Sequence, residues 1–238
     1  NFMNKLWNCS RFILMNTDGS EVKSLNNIDF SRLDETDKWI LSKLNKFIKE
    51  VEKSLNSYKM NDAIKKIYNF VWADYCDWYI EFSKSRFYGL SEDDRDVVKC
   101  VSVYVLKNIL KLLHPIAPFI TEEIWSFFTI ENNKMLITSN WPTENKKFNF
   151  KKVENDIENL KIIISTIRNI KIDLSIPSKK QINLVCRGQD KKTEFLIKNK
   201  HHLEQLVNIH SIECDKNIDK PSQSATAVVG NIELFLPL

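Results

Sequence analysis

The sequence predicts a mainly α-helical protein, an antiparallel helix bundle followed by a small α/β domain with a partly antiparallel sheet. Three observations lead there. Gly and Pro are scarce, 4 and 6 in 238 residues, which favours long helices and few tight turns. As far as Trp141, apolar residues recur at helical spacing with short polar breaks, for which up-and-down neighbours are the economical arrangement. Beyond Pro177 the apolar runs shorten to strand length.

Taken in order, Phe2, Leu6, Cys9 and Ile13 form the first helical stripe. It fades into Asn16-Thr17-Asp18-Gly19-Ser20, where Gly19 can end a helix. Asp34 or Thr36 can cap a second helix, whose stripe Ile40, Leu44, Phe47, Ile48, Val51 and Leu55 reaches about Ser57. Asn61 is the expected cap of a third, with Ile64, Ile67, Tyr68, Val71, Tyr75, Tyr79 and Phe82 on one side and an end before Gly89. Ser91 begins a fourth, carried by Val97, Val101, Tyr104, Val105 and Leu112 and stopped by Pro115 and Pro118. A short fifth helix is expected over 121–128.

The bundle domain is therefore placed at 1–142, a polar, Lys-rich linker at 143–150 and a second domain at 151–238. In that domain Val153, Ile157, Leu160, Ile164 and Ile167 resume a helical stripe. Strand-length runs then cover 181–186, 209–214, 225–229 and 231–236, with an amphipathic segment at 191–207 between the first two. Gly230-Asn231 between the last two runs signals a type II′ hairpin.

Composition excludes several classes. The four glycines lie about forty or more residues apart, so no Gly-rich phosphate loop can form. Five dispersed cysteines without a C-x-x-C pair indicate neither a disulfide framework nor a zinc site, and a reducing cytoplasmic setting is expected. No apolar run approaches the ~20 residues of a membrane helix, so no membrane partner is expected. No Ser or Cys sits in a Gly-flanked elbow beside a paired base, and His201, His202 and His210 have no Cys or acid at ligand spacing. His114, before Pro115, is expected to cap and turn the chain. With no catalytic residue and no metal or other cofactor site expected, recognition is the positive case. A net charge of +4 permits a polyanionic partner without demanding one.

On a wheel of the first helix, Asn1, Lys5, Asn8 and Phe12 fall within about 60° of one another, some 100° from the apolar stripe. Arg11 flanks that arc. One ring among cations and amides suits an unstacked base: the ring stacks, Lys and Arg hold phosphate, and amides read base edges. The alternative is that Phe12 packs under a later part of the same chain. On the third helix Asp74, Asp77, Trp78 and Glu81 share a face at i, i+3, i+4 and i+7. Carboxylates repel phosphate yet accept from an exocyclic amine such as cytosine N4. The alternative here is an acidic solvated face, or ion pairs with Lys84 or Arg86.

Four strings in order, Asn4-Lys5-Leu6-Trp7-Asn8-Cys9-Ser10-Arg11-Phe12, Asp37-Lys38-Trp39-Ile40-Leu41-Ser42-Lys43-Leu44-Asn45, Asp77-Trp78-Tyr79-Ile80-Glu81 and Leu113-His114-Pro115-Ile116-Ala117-Pro118-Phe119-Ile120-Thr121-Glu122-Glu123-Ile124-Trp125, resemble the anticodon-binding region of valyl-tRNA synthetases. The resemblance is strong to about residue 142 and weaker beyond, where the chain is similar to the junction domain that follows in these class I synthetases. It implies that the first helix meets the anticodon through Lys5 and Phe12, with Asn8 and Arg11 beside them. It implies valine tRNAs as the partner and, for the parent enzyme, ligation of valine to tRNA with ATP and Mg2+ by a monomer. The family's His-Ile-Gly-His and Lys-Met-Ser-Lys-Ser motifs do not occur, so the chain reads as a piece cut at both ends that does not activate valine itself. The same module of an isoleucyl-tRNA synthetase is one alternative. A helical scaffold that docks proteins through Trp7 and Trp78 is another.

Overall fold

The computed structural model describes residues 1–17, 24–25, 28–89, 91–128 and 135–237. The chain divides into two compact units, Asn1–Glu154 and Asn155–Leu238.

In the first unit, α1 (Phe2–Thr17) buries Leu6, Cys9, Ser10, Ile13 and Thr17 along one stripe. The expected stop at 18–20 lies outside the described residues. Helix α2 (Glu35–Asn56) starts with a capping box. Asp34 caps the first turn, and Asp37 Oδ2 accepts from the Asp34 N–H at 3.1 Å. The stripe is wider than its periodicity suggests, because Trp39 and Leu41 are buried along with Ile40, Leu44, Phe47, Ile48 and Val51.

Helix α3 (Met60–Asn69) runs without a break through a π-helical segment (Phe70–Tyr79) into α4 (Ile80–Phe87). Lys59 occupies the N-cap without a side-chain bond, so Asn61 lies inside the first turn and caps nothing. Ile64 and Tyr68 are 43% and 44% exposed, although they fit the apolar stripe by spacing. Their neighbours Ile67, Val71, Tyr75, Tyr79 and Phe82 do enter the core.

Ser91 caps α5 (Glu92–Leu113) by accepting from Asp94 N–H at 3.2 Å, and the acids Glu92, Asp93 and Asp94 suit the positive helix end. This helix packs against α1, α2 and α4, and against α6 (Pro118–Ser126). Helix α6 begins three residues before the expected Thr121. Proline is tolerated in the first turn, where its missing N–H would be unpaired anyway. His114 caps α5, with Nδ1 2.8 Å from the Thr121 hydroxyl. The 143–150 stretch, read as a linker, is anchored instead. The Asn45 amide donates to the Asn145 and Phe148 carbonyls at 2.6 and 2.8 Å, and Phe148 is buried against Phe30 and Tyr104. Ser42 accepts from Phe150 N–H and donates to Glu154 at 2.5 Å. Hydrogen bonds formed 100 or more residues away in sequence thus close this unit.

A buried polar cluster joins α2 to α4. Asp37, fully buried, accepts from Arg86 Nη1 at 2.7 Å and from the Tyr79 hydroxyl at 2.8 Å. Burial pushes the Asp37 carboxyl above its ordinary value. Burial also works against the Arg86 charge, but Asp37, Tyr79 and Asp34 together more than offset it and hold the guanidinium ionised.

In the second unit, α7 (Lys151–Asp173), which spans the division, buries Ile157, Leu160, Ile163, Ile164 and Ile167. The sheet has strand order β2-β1-β4-β3, with β1 (Ile182–Arg187), β2 (Ile209–Asp215), β3 (Ser224–Val229) and β4 (Ile232–Pro237). β1 and β2 are parallel, connected through α8 (Asp190–Lys198) and α9 (Lys200–Val207), while β4 is antiparallel to both of its neighbours. Val229 pairs with Ile232 across the two-residue loop, and Gly230 takes φ 58° there, the left-handed value a type II′ turn needs in its first position. The buried Lys171 ammonium donates to the carbonyls of Ser178, Lys180 and Val207 at 2.7 to 3.1 Å, tying the end of α7 to the start of the sheet. Among the described residues no helix is long and apolar enough to cross a membrane.

Candidate nucleic-acid interface

Helix α1 turns its apolar stripe inward and leaves Asn1, Asn4, Asn8 and Arg11 exposed. Lys5 and Phe12 lie at the margins of this polar arc, half-buried. The Lys5 ammonium sits 3.9 Å from the centre of the Trp72 ring and pairs with the Asp77 carboxylate. Phe12 meets Phe87 edge-on at 5.3 Å and Tyr88 at 6.4 Å. Tyr88 is 68% exposed, so this aromatic cluster reaches the surface at the end of α4.

The acidic set of the third helix does not form one free face. Asp74 pairs with Lys43 of α2 at 3.3 Å, Asp77 with Lys5 of α1, and Glu81 with Lys84 one turn along at 2.6 Å. Trp78 is half-buried and stacks on Phe82 at 5.5 Å. The reason is the π-helical segment: bonds from i to i+5 widen the turn, so the i, i+3, i+4, i+7 rule that would align these residues holds only for α-helical winding. The structure thus gathers Lys5, Asn8, Arg11 and Phe12 along α1. Asp77 joins them through Lys5, while Asp74 turns toward α2.

Sequence reasoning missed an aromatic ladder beside this arc. Phe2 stacks on Tyr68 at 5.3 Å, and Tyr68 on Trp72 at 5.5 Å with their planes 14° apart. The i, i+4 spacing of Tyr68 and Trp72 is the available signal, but Tyr68 by itself also fits the core stripe. Beneath α1, Cys9 and Cys76 lie buried together; their mutual hydrogen bond, then burial, raises the Cys9 thiol well above its ordinary value, so it stays protonated. Burial likewise raises the Tyr75 and Tyr79 hydroxyls.

A family model described as the anticodon-binding domain of tRNA ligase matches residues 37–186. The chain is 38% identical over 241 residues to a valine–tRNA ligase from Halalkalibacterium halodurans and 38% identical over 240 residues to one from Enterococcus faecalis. It is 36% identical over 240 residues to one from Oceanobacillus iheyensis. Each match covers 100% of this chain and 27% of the relative, so the chain spans about a quarter of the length of the curated relatives it matches.

Proposed function

The chain belongs to the family of anticodon-binding domains of tRNA ligases, and from that premise we propose that it recognises the anticodon loop of valine tRNAs as one module of a valine–tRNA ligase. The observation that carries this reading is the outward face of α1, where the amide of Asn8 and the guanidinium of Arg11 are exposed beside the half-buried ring of Phe12. Amides can read base edges, the guanidinium can hold phosphate, and the ring can accept a stacked base. The Lys5–Asp77 pair links α1 to the π-helical segment beside that face. In the complete ligase, a cytoplasmic monomer on this reading, ATP and Mg2+ serve valine activation at residues outside this chain. Contacts at the anticodon help position the distant acceptor end of the tRNA.

The test is filter binding of valine and isoleucine tRNAs between 50 and 200 mM salt. Affinity should favour the valine tRNA and fall steeply with salt, as phosphate contacts require. Phe12→Ala should cost about 1–3 kcal/mol of tRNA recognition, the range for one lost base stack, and leave valine-dependent ATP–pyrophosphate exchange by the complete ligase unchanged. Salt-insensitive binding, or exchange that collapses while charging survives, would overturn the assignment.

A further inference from the structure

Across α1 from Lys5, the side chains of Trp7, Arg11, Leu14 and Met15 face Ile124 and Phe127 over a cavity of ≈ 330 Å³. Trp7 and Phe127 form two of its walls, with ring centres 6.5 Å apart and planes 70° from parallel. Both rings are partly open to solvent, at 37% and 47% exposure. The rest of the lining is Ser10, Arg11, Leu14, Met15 and Ile124, and no carboxylate belongs to it among the described residues. Arg11 forms no ion pair among the described residues.

We propose that this cavity takes one unstacked base of the tRNA anticodon loop, laid against Trp7, with Arg11 on its phosphate. The inference rests on the anticodon-binding reading above and adds to it a second site on the same helix. Three features point to a nucleotide. An aromatic wall provides the surface on which a splayed-out base stacks. The volume lies at the small end of the range for ligand cavities, which suits one base better than an extended ligand. An apolar peptide seated here would desolvate the Arg11 guanidinium without a partner, whereas a nucleotide brings its own phosphate for bidentate contact. Arg11 also immediately precedes Phe12 and lies one turn from Asn8, so one loop can reach the polar arc and the cavity together.

The experiment uses the 238-residue chain and synthetic valine-tRNA anticodon stem-loops, one intact and the others each lacking the base at one loop position. Trp7→Leu should weaken binding of the intact loop about 5- to 150-fold, the loss expected for one base stack. One abasic loop should bind the unaltered chain weakly to the same degree, and combining that loop with Trp7→Leu should weaken binding no further. Trp7→Phe should retain most of the affinity. Met15 is 71% exposed, so Met15→Glu leaves folding intact while placing a carboxylate beside the phosphate, and it should weaken binding as well. Wild-type affinity in both Trp7→Leu and Met15→Glu would overturn the cavity assignment alone. Losses from Trp7→Leu that simply multiply with every abasic position would do the same. An unaltered chain that fails to prefer the valine stem-loop would instead overturn the function on which the inference rests.

Discussion

Asp37→Asn probes the buried cluster between α2 and α4. In the native protein Asp37 is fully buried and the Arg86 side chain is 12% exposed, with 2.7 Å between their hydrogen-bonded atoms. Asparagine still fits and still accepts from Tyr79, but it leaves the guanidinium charge uncompensated in the interior. Removing one partner of a buried pair costs about 3–5 kcal/mol, against a total stability of about 5–15 kcal/mol for a domain. With a urea slope of about 2 kcal/mol per molar, the midpoint should fall by about 2 M. Every tryptophan of the chain lies between residues 7 and 141, so indole fluorescence during urea unfolding reports this unit alone. Adding Arg86→Met should recover part of the loss by removing the orphaned cation. The solvated Arg32–Asp93 pair sets the contrast: its side chains are 42% and 82% exposed, and a pair of that kind contributes about 0–1 kcal/mol. A loss below about 1 kcal/mol for Asp37→Asn, or a double variant no better than the single one, would refute this account.

Two further outcomes can be stated. Tyr75 and Tyr79 have hydroxyls raised above the ordinary tyrosine value by burial, so the unfolded chain ionises first; their contribution is fully present below about pH 10 and is lost as pH rises further. Absorbance at 295 nm should therefore show Tyr75 and Tyr79 ionising only in a late cooperative step that coincides with loss of helical circular dichroism. Lys171→Met strips the ammonium from the carbonyls of Ser178, Lys180 and Val207 and should destabilise the second unit by about 2–4 kcal/mol. Amide exchange in β1 and β2 should then speed up about 30-fold or more, and unchanged protection there would count against the bond set.

Local chemistry was legible in the chain wherever neighbours in sequence are neighbours in space. Asp34 and Ser91 announce their helices because a cap bonds to the next turn, and Gly230 announces its hairpin because only its own φ matters. The inward stripes of α1 and α2 follow from spacing alone. The features that escaped depend on residues far apart. Nothing near Asp37 foretells that Tyr79 of the π-helical segment and Arg86 of α4 will meet it, and nothing near Asn45 foretells that it will hold residues 145–148. Ile64 and Tyr68 occupy stripe positions yet face outward, because spacing says which residues share a face but not whether a neighbour covers it. On the interface, the polar arc of α1 could be drawn on a wheel, whereas the ladder of Phe2, Tyr68 and Trp72 and the cavity beside Trp7 each need two helices to exist.

The π-helical stretch between Phe70 and Tyr79 works as a phase adjuster in a helical run from Met60 to Phe87. Trimming one residue there and letting the segment rewind as ordinary α-helix would rotate everything downstream about the axis by roughly a quarter turn, since each α-helical residue advances about 100°. Arg86 would then miss its carboxylate, and Phe87 would abandon the ring of Phe12. Single deletions within these ten positions should consequently be far less tolerated than point substitutions at their solvent-facing members, so segment length, more than composition, becomes the constrained quantity.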